Sequence, residues 1–223
     1  MSIDLLLTLL SFAGISLLCR AIVCRLGYLG RWVFSVPGVI VHELGHFVFA
    51  LLFGHRVRKV VWFKTHQGLA SGSVSHQYEP GNLWQRLGCT LVPLGPLFSG
   101  AMSMIAIWQW SSLPSPLLFG GGAGAMDGVG IVQLIRGDTT AVVPLILIAA
   151  VSSNCWPSRT DWLNALKAGM HSPTMTAILL CALLYLLPIL KGTLTVLLIS
   201  CLLSLILLSV VWLLNRIGSY LLT

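Results

Sequence analysis

Residues Val39–Ala50 read VIVHELGHFVFA, and this stretch decides the fold because it places two histidines and a glutamate inside an apolar segment. Glu43 is one of only two glutamates in the 223 residues. An ionised carboxylate at the centre of a membrane costs about 3 kcal/mol. A polar cluster that only hydrogen-bonds neighbouring helices would still bear that cost. The stretch therefore indicates a functional site within an apolar helix.

The composition predicts an integral membrane protein. Hydrophobic residues make up 57% of the chain and charged residues only 9%, far from the averages of soluble domains. Apolar segments of membrane-spanning length alternate with charged or Gly/Pro-containing connections. We expect an all-α polytopic membrane protein with about six transmembrane helices. The predicted spans are Ile3–Cys19, Trp32–Phe53, Leu87–Trp108, Ala141–Cys155, Met175–Leu190 and Leu194–Leu214.

Charge and cysteine content narrow the function classes. The 13 Lys and Arg residues are scattered between apolar segments, which predicts loops that orient the spans and argues against nucleic-acid binding. Their distribution favours cytoplasmic N- and C-termini. The first four residues, MSID, carry no basic residue, which favours a retained first helix over a cleaved signal peptide. The six cysteines form no C-x-x-C pair and are assigned neither disulfides nor metal.

The chain reads as one integral-membrane domain, residues 1–223, without an internal repeat. Residues 55–80 are rich in β-branched and aromatic residues around a turn at Thr65–Gly68, which predicts a small β-hairpin at the membrane surface. Pro93 and Pro96 predict a broken or kinked third span. The glycine-rich stretch Phe119–Gly130 predicts a flexible external loop.

The spacing of the two histidines suits a zinc ion. His42 and His46 are four residues apart, so they project from nearly the same helix face, about 6 Å apart along the axis. Glu43 lies about 100° around the helix from His42. This position suits a general base better than a metal ligand. Catalytic zinc usually has three protein ligands, so a third ligand is expected elsewhere.

Several side chains could supply the third ligand. Asp161 is the one in a recognisable setting, because Asn154 and Pro157 in SSNCWPSRTDW turn the chain just before it. Its competing interpretation is a helix N-cap. By the charge distribution, Asp161 and the histidine helix share the cytoplasmic side. The other candidates are Asp4, Glu79, Asp127, Asp138, His55, His66, His76 and His171.

Three elements together resemble the site-2 protease family of intramembrane zinc metalloproteases, over roughly residues 33–169. They are HELGH at residues 42–46, Gly95-Pro96 before Ser99, and Asn154-x-x-Pro157 before Asp161. Two departures from the family pattern stand out. Ser99 replaces the usual asparagine, and the aspartate comes one residue earlier and is followed by Trp162 instead of glycine.

The resemblance implies a zinc metalloendopeptidase of a divergent small bacterial branch, multi-pass in the cytoplasmic membrane. Zn²⁺ would be held by His42, His46 and Asp161, with Glu43 as general base. Asn154 and Ser99 would bind substrate. The implied partners are a membrane-protein substrate and the lipid bilayer, and the hairpin after HELGH would bind an unwound substrate segment as an added strand.

Two other function classes remain open from the sequence. The departures at Ser99 and Trp162 suit a catalytically silent zinc-binding membrane scaffold. Intramembrane His and Glu also suit a transporter that relays protons or metal ions, although the chain lacks the repeated halves typical of transporters.

Overall fold

The computed structural model describes residues 3–111, 139–171, 177 and 191–221. Within these ranges the chain is helical apart from one two-stranded antiparallel sheet. The helices are α1 (Ile3–Cys24), α2 (Tyr28–Leu52), α3 (Leu83–Leu91), α4 (Gly95–Trp110), α5 (Thr139–Ser152), α6 (Arg159–His171) and α7 (Lys191–Leu221). The strands are β1 (Arg56–His66) and β2 (Leu69–Gln77).

Three helical segments among the described residues are long and apolar enough to cross a membrane: Tyr28–Leu52, Leu83–Trp110 and Leu197–Ser219. They overlap the second, third and sixth predicted spans. The first and fourth predicted spans correspond to shorter apolar helices, Leu10–Cys24 and Val142–Ser152. The predicted fifth span, Met175–Leu190, lies outside the described residues except for Ala177, and so does the glycine-rich Phe119–Gly130.

The hairpin predicted after the HELGH helix is confirmed. Residues 56–66 are rich in β-branched and aromatic side chains, which suit a pleated strand. The connection is the two-residue turn Gln67-Gly68, with φ of 49° and 82°. Positive φ at both residues is typical of the type I′ turn, whose twist matches that of the strands. The hairpin packs against α2, where the backbone N–H of Ala70 donates to Oγ of Ser35 at 3.0 Å.

The predicted break in the third span is also confirmed. Asn82 begins α3 as its N-cap, with Oδ1 accepting from the backbone N–H groups of Trp84 and Gln85. The α-helix gives way to a 3-10 turn at Val92–Leu94 and resumes as α4. Pro93 and Pro96 have no N–H to donate into the helical ladder. The change of hydrogen-bond pattern therefore falls where the prolines stand.

Buried serines hold the long helices together. Oγ of Ser16 in α1 donates to the carbonyl of Ser152 in α5 at 2.5 Å, and Oγ of Ser152 donates to Oγ of Ser204 in α7 at 2.7 Å. Nε1 of Trp108 in α4 donates to Oγ of Ser200 at 2.6 Å. Small residues allow helices to approach closely, and their hydroxyls then bond across the contact. This network positions α5, which leads directly into the candidate site.

Candidate metal centre

The two histidines of HELGH face one carboxylate. Nε2 of His42 lies 3.3 Å from Nε2 of His46. Asp161, at the start of α6, places Oδ2 3.4 Å from Nε2 of His42 and Oδ1 3.4 Å from Nε2 of His46. Among the described residues, these three form the cluster of His, Cys, Asp or Glu that could hold a metal ion, with ligand atoms within 4.8 Å of one another.

Backbone carbonyls set the orientation of both imidazoles. Nδ1 of His42 lies 2.8 Å from the carbonyl oxygen of Asn154, and Nδ1 of His46 lies 2.8 Å from that of Val92. A carbonyl can only accept, so each Nδ1 carries the hydrogen. Both Nε2 atoms are then unprotonated in the neutral rings and face each other and Asp161. This arrangement of outer hydrogen bonds is common around metal-binding histidines.

Asp161 occupies the third helical position of α6 and not the N-cap. Ser158 caps the helix, with its Oγ accepting from the N–H of Asp161 at 3.2 Å. In return, Oδ2 of Asp161 accepts from the N–H of Ser158 at 2.7 Å. This reciprocal capping box begins α6 and aims the carboxylate at the histidines. The N-cap interpretation of Asp161 is therefore wrong, because Ser158 is the N-cap; the Asp161 carboxylate completes the capping box and also faces the histidines.

The electrostatics of Asp161 favour the ionised form. Burial by itself would raise the pKa of Asp161, but its contacts with His42, His46 and the backbone N–H of Ser158 outweigh burial and hold this pKa well below its usual range. The side chain is therefore a carboxylate at neutral pH. An anionic oxygen beside two neutral imidazoles is a donor set that suits Zn²⁺.

Glu43 lies beside the cluster, under strand β2. It is 5% exposed, and its Oε2 has no hydrogen-bond partner among the described residues. Gly72 of β2 packs directly over the side chain, since a Cβ at residue 72 would lie 2.7 Å from Cδ of Glu43 and 2.8 Å from its Oε1. Because Gly72 has no side chain, strand β2 leaves room for the Glu43 carboxylate.

The donor atoms fit a tetrahedral zinc. Zn–N and Zn–O bonds of about 2.0–2.2 Å imply that neighbouring ligand atoms of a tetrahedron lie about 3.3–3.6 Å apart. The separations of 3.3, 3.4 and 3.4 Å agree with this spacing. Three protein ligands leave one tetrahedral position for another ligand, as in catalytic sites.

A cavity of about 400 Å³ opens on the cluster. His42, Glu43, His46 and Asp161 all line it, and so does Asn154. Much of β2 forms its wall, including Ala70, Ser71, Gly72, Ser73, Val74 and His76. Among the described residues, β2 has one strand partner, β1. The site is therefore a cleft bordered by one edge strand.

The two predicted substrate-binding residues lie in different places. Nδ2 of Asn154 donates to the carbonyl of Ala150 at 3.1 Å and to Oγ of Ser153 at 3.0 Å. Ser99 lies at the crossing of α2 and α4, where its Oγ donates to the carbonyl of Val41 at 2.8 Å. It is not among the described residues that line the cavity. A role in substrate binding stays a prediction for both residues.

Of the other third-ligand candidates, Glu79, His55, His66 and His76 lie outside the metal cluster, and Asp127 and Asp138 lie outside the described residues. The structure adds a histidine pair that the sequence analysis did not predict. Nε2 of His55 donates to the carbonyl of Gln85 at 2.7 Å, and its Nδ1 accepts from Nδ1 of His76 at 2.9 Å. Burial, followed by the electrostatic interaction with His55, lowers the pKa of His76 to about 4. His76 is therefore an uncharged wall of the cleft at neutral pH.

The chain matches no protein-family model, no curated protein and no solved structure. The chemistry of the site is therefore argued from its own geometry.

Proposed function

We propose that this protein is an intramembrane zinc metalloprotease that hydrolyses a peptide bond in or near the membrane segment of a membrane-protein substrate. The observation that carries the proposal is the triangle of donor atoms from His42, His46 and Asp161, with the carboxylate of Glu43 in the same cavity. Two imidazoles and one carboxylate are a ligand set that suits catalytic zinc, and Glu43 would supply a general base.

Zn²⁺ in this site would supply a Lewis acid, which polarises a carbonyl and makes water acidic near neutral pH. The protein's own residues would bind the metal, orient the ligands and transfer protons. His42, His46 and Asp161 hold the metal, and the carbonyls of Asn154 and Val92 keep the imidazoles aligned. Glu43 accepts a proton from the attacking water and returns it to the leaving amine.

The open edge of β2 would hold the substrate extended. An extended peptide adds to an edge strand through backbone hydrogen bonds, independently of most side chains. β2 lines the cleft from Ala70 to His76, and Gly72 lies directly over Glu43. A peptide bound along this edge would therefore pass beside the base. A membrane helix must unwind to bind in this way.

The membrane arrangement that accompanies this proposal has six spans with both termini in the cytoplasm. Three would be the long apolar helices, two would be the shorter apolar helices, and one would be the span that the sequence predicts at Met175–Leu190. The site then lies toward the cytoplasmic face of a bacterial cytoplasmic membrane. Exposed apolar side chains on α4 and α7, such as Met102, Ile206 and Leu214, suit contact with lipid.

Zinc content tests the ligand set. Detergent-purified wild type should carry about one zinc per chain, and Asp161→Ala should lose most of it because one of three ligands is gone. Glu79→Ala is the matched control, since Glu79 lies outside the cluster. Inductively coupled plasma mass spectrometry under identical washing gives the ratio. Equal zinc in wild type and Asp161→Ala would remove Asp161 from the site.

Glu43→Gln separates catalysis from metal binding. Zinc should remain, because the ligands are intact, whereas cleavage should fall about 10²–10⁴-fold with the loss of the base. Glu79→Gln alters the chain's other glutamate and serves as control. Co-expression with a library of single-span membrane proteins reveals fragments that depend on Glu43. Bound zinc without such fragments would favour the alternative, a silent zinc-binding scaffold.

A further inference from the structure

The metal cleft contains an arginine that comes from α1. Among the described residues that line this cavity of about 400 Å³, Arg20 is the only Lys or Arg. It is also the one charged residue in the apolar segment Leu10–Cys24. A charged side chain in such a segment is costly, and it usually faces water or a binding partner inside the protein. We propose that Arg20 binds a carboxylate of the substrate two residues from the hydrolysed bond and so determines specificity. The inference rests on the proposed proteolytic function.

No carboxylate among the described residues pairs with Arg20. Both ion pairs within these ranges join Asp161 to a histidine. Glu43 lines the same cavity, but its Oε2 has no hydrogen-bond partner in the described part of the chain. Glu79 lines a separate, smaller cavity. Asp4 is sixteen residues before Arg20 on α1, or about 24 Å along the helix axis. The guanidinium therefore remains available to an anion that enters the cleft.

The chemistry of an arginine selects a carboxylate. The guanidinium keeps its charge at every physiological pH and presents its N–H donors in a planar fork. Two parallel N–H groups of this fork match the two oxygens of a carboxylate, so the pair has a defined geometry as well as opposite charges. Arg20 is exposed, so a ligand in the cleft can reach it. Within a concave site, the attraction exceeds that at an open surface.

The contacts of α1 indicate at which end of the cleft Arg20 lies. Cys19, its neighbour in the chain, shares a buried cluster with Phe34. Phe34 is in the first half of α2, before HELGH. Ala70 of β2 lines the cleft on this same side, because its backbone N–H donates to Oγ of Ser35. The Arg20 side chain therefore enters the cleft at the Ala70 end.

The position of Ala70 sets the distance from the hydrolysed bond. Ala70 is two residues from Gly72, which covers Glu43, and this separation is about 7 Å along the strand. A substrate extended along the open edge of β2 advances by the same rise per residue. Its residue beside Ala70 is therefore two residues from the bond beside Glu43. A carboxylate there, from an Asp or Glu side chain or from a C-terminus, would lie at the Arg20 end of the cleft.

A randomised peptide library tests the preference. The full-length protein in detergent is incubated with the library, and mass spectrometry maps each cleaved bond. We expect a carboxylate to be enriched two residues from that bond on one side. Arg20→Gln should lower the preference for Asp over Asn there about five- to tenfold, as expected for a bidentate pair that is partly exposed. Arg25→Gln should keep the preference, since Arg25 is not among the described residues that line the cleft.

Charge reversal separates recognition from a structural role. Arg20→Glu should enrich Lys and Arg at the same substrate position, while its zinc content stays equal to that of wild type. Peptides that end two residues beyond the bond, as a free acid or as an amide, distinguish a terminal carboxylate from a side-chain carboxylate. An equal loss of turnover for acidic and neutral peptides in Arg20→Gln, without enrichment of Lys and Arg in Arg20→Glu, would overturn the proposal.

A binding measurement keeps the two proposals distinguishable. Fluorescent peptides with either carboxylate, and their neutral amide counterparts, are titrated against Glu43→Gln and against Arg20→Gln/Glu43→Gln. Carboxylate-dependent binding that requires Arg20, without any wild-type cleavage, would overturn the protease proposal and support the carboxylate site. Cleavage with no preference for either carboxylate, or with a preference unchanged in Arg20→Gln, would overturn the carboxylate site alone. The absence of both cleavage and carboxylate-dependent binding would overturn both proposals. Phosphatidylglycerol that copurifies with wild type, is lost from Arg20→Gln and is not displaced by the carboxylate peptides would overturn the carboxylate site in favour of a lipid headgroup.

Discussion

Gly72→Ala should inactivate the site without removing its metal. The glycine is in β2, and a Cβ there would lie 2.7 Å from Cδ of Glu43 and 2.8 Å from Oε1. Carbon atoms in contact keep about 3.5–4.0 Å. Cγ of Glu43 would lie closer still, so the glutamate side chain or the strand must move by at least about 1 Å. His42, His46 and Asp161 are not among the nearest atoms that the new methyl group would meet.

The size of the expected rate loss follows from the displacement of Glu43. A misplacement of about 1 Å in a catalytic group costs about 10²-fold in rate. Gly72→Ala should therefore cleave a peptide substrate about 10²-fold more slowly than wild type. Its zinc content should stay equal to that of wild type, because the donor triangle is formed by α2 and α6. Peptide turnover and zinc per chain are measured on the same preparation.

A matched glycine control makes this test specific. Gly81 lies in the connection between β2 and α3, and a Cβ there would meet no atom within 4 Å. Gly81→Ala should retain wild-type turnover and zinc. If Gly72→Ala turned over peptide at the wild-type rate, β2 would not lie over Glu43 as described. Loss of zinc in Gly72→Ala would equally refute the reasoning, since the ligands would then depend on the strand.

Two further predictions concern stability. Gly45→Ala should lower the free energy of unfolding by about 1–3 kcal/mol, because its Cβ would lie 2.6 Å from the carbonyl oxygen of Gly95 at the α2–α4 crossing. Thermal unfolding in detergent measures this loss, and Gly218→Ala is the control because a Cβ there would meet no atom within 4 Å. The free energy of unfolding of the wild type should fall by about 1–2 kcal/mol as pH drops from 6.5 toward 4. In this range His76 of the unfolded chain binds a proton, whereas folded His76, with a pKa of about 4, remains neutral. His76→Gln should weaken this pH dependence and His66→Gln should not, whereas an equal decline in both variants would contradict the assignment.

Much of the local structure follows from short-range patterns. The i, i+4 spacing places His42 and His46 on one helix face, whatever that helix packs against. β-branched residues around Gln67-Gly68 specify the hairpin, and Pro93 with Pro96 specifies the break in the third span. Each prediction depends on residues within a few positions of each other, so the sequence contains the whole signal.

Contacts between residues far apart in the sequence could not be predicted from such short-range patterns. Asp161 is 115 residues from His46 in the numbering, and no periodicity brings α6 to α2. The expectation for Asp161 rests on its setting after Asn154 and Pro157 and on a family resemblance, and the structure adds the capping box with Ser158 that aims it. The covering of Glu43 by Gly72 and the pairing of His55 with His76 depend on where the hairpin lies. The span count also depends on residues 172–176 and 178–190, which are outside the described ranges.

The ends of two helical segments explain how the candidate metal ligands His42 and His46 are oriented. In a continuous helix, the carbonyl of Val92 would accept from the N–H of residue 96, but that residue is Pro96. The carbonyl instead accepts from Gly95 and from Nδ1 of His46. Pro96 thus leaves the Val92 carbonyl accessible to an imidazole. Asn154 lies just after the end of α5, and the N–H of Ser158, four residues further on, donates to Oδ2 of Asp161, so the Asn154 carbonyl accepts from Nδ1 of His42. Both segments are therefore part of the candidate metal site, because each supplies the acceptor that fixes one histidine tautomer.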